Sequence, residues 1–228
     1  EEDLSAPPSI PQAETGTGVI LSITPPSGEA LTYTQVYEKA APSIAALTAY
    51  SAGMVSTGTG IVLTADGYIV TNAHIIAGAE QVNVTLSDDS LWSAQLVGFE
   101  PLEDLAVLKI DAQGLATLPL GDSSALVSGE TVYTLGSPQG LENTIANGII
   151  SAVSRQVDGQ NYIQTTAPIS SGSSGGALLN EKGECVGITT GTLSGQNLNF
   201  AVPINDAKTY LQQDLNLTLE QLATERTT

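Results

Sequence analysis

The chain has 228 residues, with 6 Lys and Arg against 24 Asp and Glu and a formal charge of −18 at neutral pH. Such a charge repels phosphate backbones and anionic lipid, and six cations are too few to build a basic stripe, so nucleic acid is a poor partner. Hydrophobic residues make up 41%, enough for a sizeable core, while a single cysteine and a single histidine exclude an internal disulfide and a structural zinc.

Residues 1–32 hold five of the eleven prolines (Pro7, Pro8, Pro11, Pro25 and Pro26) and precede the first cation, Lys39. They read as an extended, acidic, Pro-rich segment, mobile in isolation. The start Glu1-Glu2-Asp3 has neither Met nor a basic leader, and no apolar run reaches the roughly 18 residues of a membrane span. The chain therefore reads as a soluble piece of a longer precursor. A helix is predicted next, because Thr32 and Gln35 have capping-box spacing, Tyr33, Val36, Tyr37 and Ala40 recur at helical intervals, and Pro42 ends the pattern.

From Ile44 to about Val202 short β-type runs dominate: Ile61-Val62-Leu63, Val82 to Leu86 before the turn Ser87-Asp88-Asp89-Ser90, Leu105 to Ile110, Thr131 to Leu135, Gly148 to Val153 and Glu184 to Thr189. No helical pattern of roughly 10 to 15 residues separates them, which favours a barrel or sandwich over an α/β fold. Asn205 is placed to cap a short helix carrying Ala207, Tyr210 and Leu211, and residues 214–228 read as a truncated linker.

Gly172-Ser173-Ser174-Gly175-Gly176 is the most informative segment: glycines around a serine permit a tight backbone that aims amide hydrogens and a hydroxyl at one spot. Gly/Ser clusters are also ordinary loops, so the segment needs partners. A serine nucleophile needs a base, and the one imidazole is His74, just after the strand-like Gly67 to Val70. A base needs an orienting carboxylate; Asp104 opens the run Leu105-Ala106-Val107-Leu108, with Glu103 as the competing candidate. Gly58-Thr59-Gly60 is a poor phosphate loop because a strand follows it where a helix should, and Cys185 in its apolar run reads as a packing residue.

The order His74, Asp104, Ser174 and the words around them resemble the HtrA/DegP family of trypsin-like serine proteases. The stretches that carry the resemblance are Thr71-Asn72-Ala73-His74, Asp104 to Ile110, Gly136-Ser137-Pro138 with Gly140-Leu141, Gly148-Ile149-Ile150-Ser151, and Gly172 to Gly176 followed by Ala177-Leu178-Leu179-Asn180. The resemblance covers about residues 33–213 and implies an all-β, chymotrypsin-like fold of two perpendicular six-stranded barrels with short terminal helices. One barrel would occupy 33–120 with His74 and Asp104, the other 121–213 with Ser174.

By the same resemblance Ser174 is the nucleophile, His74 the general base and then acid, Asp104 the carboxylate that fixes its tautomer, and the amides of Gly172 and Ser174 the oxyanion hole. No cofactor or metal is required. This chain departs from the family at Ser170-Ser171, where Asn-Pro is usual, at Ser173, where Asn is usual, and at Ala177, where Pro is usual. These changes bear on the stability and resting activity of the loop. Pro168, six before the nucleophile, would floor the specificity pocket, with Ile169 and Thr189, Thr190, Gly191, Thr192 and Leu193 as walls, which implies cleavage after small or aliphatic residues.

The resemblance further implies unfolded polypeptide substrates in protein quality control, a homotrimer built through the N-terminal segment with Tyr33 and Tyr37, and a bacterial extracytoplasmic setting from a membrane-anchored precursor. It also implies a PDZ domain beyond the C-terminal linker, outside this chain. A catalytically silent module that captures peptides on the same fold is the rival expectation.

Overall fold

The computed structural model describes residues 4–14, 19–25, 28–137, 143–157, 159–193 and 198–216, with the backbone alone at 192, 193 and 216. Pro138, Gly140 and Leu141 of the family-like words, and residues 217–228 of the expected linker, lie outside the described residues.

Helix α1 (Tyr33–Ala40) begins as its sequence predicts: the Gln35 amide donates to the Thr32 hydroxyl at 3.3 Å and the Thr32 amide donates back to the Gln35 side chain at 2.9 Å. Val36 and Ala40 point inward, and a 3-10 turn at Ala41–Ser43 containing Pro42 ends the element.

The first half contains β1 (Ile44–Ser51), β2 (Met54–Val62), β3 (Tyr68–Thr71), the short helix α2 (Ala73–Ile76), β4 (Gln81–Thr85), β5 (Leu91–Ser93), β6 (Gln95–Glu100) and β7 (Leu105–Lys109). Its seven strands are ordered β5-β4-β1-β2-β3-β7-β6. The two ends of that order, β5 and β6, are separated in the chain by Ala94 alone, and two residue steps span no more than about 7 Å. The sheet must therefore curl until its edges meet, and β5 and β6 act as two parts of one bent strand. Counted that way, the half has the six runs expected.

The second half contains β8 (Thr131–Gly136), β9 (Thr144–Val157), β10 (Gln160–Thr165), β11 (Ala177–Leu179), β12 (Cys185–Leu193) and β13 (Leu198–Pro203), which close in the order β10-β13-β12-β11-β8-β9. The β12–β13 register shifts between the Thr189↔Ala201 and Thr192↔Asn199 pairs. Two residues, Thr190 and Gly191, there oppose the single position of Phe200, a bulge that re-aims the strand.

Helix α3 (Ile204–Asn216) is longer than expected, and Asn205 lies inside it rather than capping it. The Asn205 side chain instead accepts the Ser123 amide at 3.0 Å and donates to Asp122 Oδ1 at 2.8 Å, pinning the turn before β8. Ala207, Leu211 and Leu215 of α3 join a core shared by both halves, including Ile61, Val70 and Val107 from the first and Leu135, Ala177 and Ile188 from the second. Each barrel has a further interior cluster of its own.

The described parts of the N-terminal segment are extended but held to the body, unlike the free lead expected. Leu96 donates to Pro11 O and Ala13 donates to Leu96 O, both at 2.8 Å, so the segment pairs along the seam next to β6. Farther on, Thr24 donates to Leu120 O at 2.6 Å. Ile10 and Leu21, apolar residues in a polar stretch, supply the buried contacts that composition alone had hidden.

Candidate active site

Strands β3 and β7 are antiparallel with Thr71 opposite Ala106, so the residues just after β3 meet those just before β7. This register carries His74, on α2, to Asp104. Asp104 has φ 53, a left-handed conformation that Asp tolerates better than most residues. Buried Asn72 donates from Nδ2 to the Asp104 carbonyl at 3.0 Å and so holds this corner.

The Asp104 carboxylate lies 2.9 Å from His74 Nδ1 through each oxygen, and it accepts the His74 backbone N–H at 3.0 Å. A carboxylate can only accept, so Nδ1 carries a ring proton, and in the neutral ring the lone pair falls on Nε2. A third donor comes from the second barrel: Thr190 Oγ1 to Asp104 Oδ2 at 2.5 Å. Glu103 does not compete, since its carboxylate accepts from Gln160 Nε2 at 3.4 Å instead.

Ser174 lies in the turn before β11, and its hydroxyl donates to the Thr190 carbonyl at 2.5 Å. Thr190 thus touches both expected partners of the imidazole, through its hydroxyl and its carbonyl. Among the described residues Ser174 makes no hydrogen bond to His74.

The turn itself is heavily tied. Gly172 and Gly175 adopt φ 87 and 84, and a Cβ on Gly175 would fall 2.1 Å from the Thr59 carbonyl, so only glycine fits there. Ser173 N donates to Ser170 O at 2.9 Å, Gly175 N to Thr189 O at 2.7 Å, and Thr189 Oγ1 to Ser173 O at 2.8 Å. From the first barrel, Thr59 N donates to Ser174 O and Thr59 Oγ1 to Gly172 O, both at 2.8 Å. The amides of Gly172 and Ser174 donate to no acceptor among the described residues.

The expected pocket residues divide. Pro168 and Gly191 are exposed and Ile169 is half-buried, whereas Thr189 is 1% exposed with its hydroxyl on Ser173 O. The hydroxyls of Thr189 and Thr190 hold the serine turn and Asp104, respectively, rather than standing free as pocket walls. Of Thr192 and Leu193 only the backbone, in β12, is described. Cys185 is fully buried, and burial pushes its thiol up to about 12, which fits packing rather than chemistry.

The sequence words give Thr59 and Asn72 no role of their own: Thr59 sits in the rejected phosphate-loop word Gly58-Thr59-Gly60 and Asn72 in the word that carries His74. The signal for Thr59 was present in Gly58-Thr59-Gly60: one polar residue between glycines inside β2, where Gly58 and Gly60 leave room for Ile75 and Ile69.

A family profile described as "Trypsin-like peptidase domain" matches residues 58–188. The chain belongs to that family, in its HtrA/DegP branch. It is 45% identical over 159 residues to the "Probable periplasmic serine endoprotease DegP-like" of Pseudomonas fluorescens, covering 67% of this chain and 33% of that protein. It is 42% identical over 167 residues to "Serine endoprotease DegS" of Haemophilus influenzae, covering 68% and 49%. Among solved structures, "HtrA-type protease AlgW with tripeptide" superposes with a TM-score of 0.76 at 37% identity, covering 81% of this chain and 64% of that one. A serine endoprotease from Yersinia pestis gives 0.73 at 35%, covering 82% and 68%. The chain thus spans a third to a half of the length of these curated relatives.

Proposed function

We propose that this domain is a serine endopeptidase in which Ser174 is the nucleophile, His74 the base and then the acid, and Asp104 the group that orients it. The observation that carries this reading is the Asp104 carboxylate on His74 Nδ1, because it leaves Nε2 basic. The Ser174 hydroxyl swings from the Thr190 carbonyl to Nε2, gives up its proton and attacks a peptide carbonyl. The developing oxyanion takes the unengaged amides of Gly172 and Ser174. His74 then protonates the leaving amine, and water releases the acyl group by the same steps in reverse.

The substrate is an extended segment of an unfolded polypeptide, in keeping with the peptide-bound state of the AlgW structure. Pro168, Ile169 and Gly191 present no carboxylate to a basic side chain, which supports cleavage after small or aliphatic residues. A role in protein quality control, outside the cytoplasm as the periplasmic relative's name suggests, belongs to the same reading. A membrane anchor on the precursor also belongs to it; no helix among the described residues is long and apolar enough to cross a membrane. So does a homotrimer through the N-terminal segment. Tyr33 keeps 41% of its surface exposed for such a contact, although its ring already meets Tyr133 at 5.3 Å and its hydroxyl donates to Ile145 O at 2.9 Å. Light scattering tests that assembly.

The experiment for the activity is digestion of casein by wild type and Ser174→Ala, with the cut sites mapped by mass spectrometry. Cleavage by wild type alone, after Ala, Val, Ile or Leu, is expected; cleavage that survives in the variant overturns the assignment. One observation favours the silent peptide-binding module: the Ser174 hydroxyl rests on Thr190 rather than His74. Peptide binding without any cleavage in every assembly state would select that reading.

A further inference from the structure

We infer that Thr59, a strand residue of the first barrel, is the positioning residue of the proposed oxyanion loop; the inference rests on the serine endopeptidase reading and deepens it. Thr59 is fully buried in β2 and all of its polar groups are engaged. Its amide donates to Ser174 O at 2.8 Å, and its carbonyl accepts the Thr71 hydroxyl at 2.7 Å. Its own hydroxyl accepts the Ser137 amide at 2.9 Å and donates to Gly172 O at 2.8 Å. The direction of the last bond is set by chemistry: the Ser137 amide can only donate, so the one hydroxyl proton is committed to Gly172.

The two carbonyls that Thr59 holds belong to the two residues whose amides are the oxyanion donors. Holding the Gly172 carbonyl fixes the plane of the Gly172–Ser173 peptide, and Ser173 N, bonded to Ser170 O, ties its other side. Holding the Ser174 carbonyl fixes the far end of the turn. The Gly172 amide belongs to the preceding peptide and is joined to the held carbonyl through a glycine at φ 87 with no Cβ to restrict rotation, so the backbone lacks rigidity of its own where donor direction matters most. The Ser174 amide lies in the next peptide, whose Ser173 carbonyl accepts from Thr189. The tether reaches this turn from the opposite barrel, so docking of the two halves and formation of the site are one event. Thr59 touches no reacting atom; it acts through the direction of two N–H bonds.

Three variants test this on a peptide-amide substrate: Thr59→Val, which keeps shape and loses the hydroxyl, Thr59→Ser, which keeps the hydroxyl, and Thr59→Ala in case the valine protein does not fold. Loss of an oxyanion donor lowers kcat by about 10²–10³, so misdirected donors in Thr59→Val should lower it about tenfold or more, with KM unchanged and Thr59→Ser within about twofold of wild type. Affinity for a peptide boronic acid, which forms a tetrahedral adduct, should fall with kcat. Affinity for an uncleavable reduced-amide peptide should not. A hydroxyl-free variant with wild-type kcat, or a serine variant impaired as deeply as the valine one, overturns the role of Thr59. A wild type that neither cleaves nor binds the boronate overturns the peptidase reading instead.

Discussion

Asp104 receives His74 at two points, the backbone N–H at 3.0 Å and ring Nδ1 at 2.9 Å, so one carboxylate sets both the position of α2 and the tautomer of the ring. Asparagine keeps the shape and also tolerates the φ of 53 at this position, but it can offer Nδ1 an amide donor in place of an acceptor. Asp104→Asn should therefore lower kcat by about 10⁴ with little change in KM or melting temperature. Steady-state kinetics beside a thermal melt checks this, and an active Asn variant would remove Asp104 from the mechanism.

Thr190 joins the two barrels at the site through its hydroxyl on Asp104 and its carbonyl under Ser174. Thr190→Val removes the first bond and leaves the second. A hydrogen bond to a charged group contributes about 1.5–3 kcal/mol, so the loss, if expressed in the transition state, lowers kcat about tenfold to a hundredfold. The kinetic measurement to compare is Thr190→Ser, which should stay close to wild type.

Gly175 has φ 84, and a methyl there would meet the Thr59 carbonyl at 2.1 Å and the Thr71 hydroxyl at 2.5 Å. Both the left-handed strain and the collision with backbone oppose any side chain. Gly175→Ala should cost about 3 kcal/mol or more and abolish activity, as read by chemical denaturation and peptide cleavage.

What could be read from the sequence was local. Thr32 and Gln35 announced α1 because a capping box needs only four residues, and the alternation in Val82 to Leu86 announced β4 because a strand with one wet face has period two. His74, Asp104 and Ser174 stood out because their types are rare in this chain or sit in distinctive words. Long-range consequences were hidden. That β5 and β6 are the meeting edges of a curled sheet depends on pairings with β4 and β7 that no local word encodes. Thr190 was expected to face a pocket, and the β12 bulge turns its hydroxyl toward Asp104 instead. Ile10 and Leu21 were lost in the proline-rich composition of the N-terminal segment, although each finds a buried place on the body.

Burial holds the Cys185 thiol near 12, well above its ordinary value of 9.0. It should resist iodoacetamide at pH 8 in the folded protein and react on unfolding. The sign of the linked stability follows from proton counts: between about pH 9 and pH 12 the unfolded thiol has ionised while the folded one keeps its proton. The folded state then binds more protons, so stability falls as pH rises through that window. Denaturant titrations should show a shallower alkaline decline in Cys185→Ala than in wild type.

The most direct test is reaction with a fluorophosphonate, which bonds only to a serine activated by its surroundings, followed by mass spectrometry of the labelled peptide. A single adduct is expected, located on Ser174, formed by wild type, greatly slowed in Asp104→Asn and missing in Ser174→Ala. An adduct on any other residue, or none in any assembly state of the wild-type protein, would contradict that expectation.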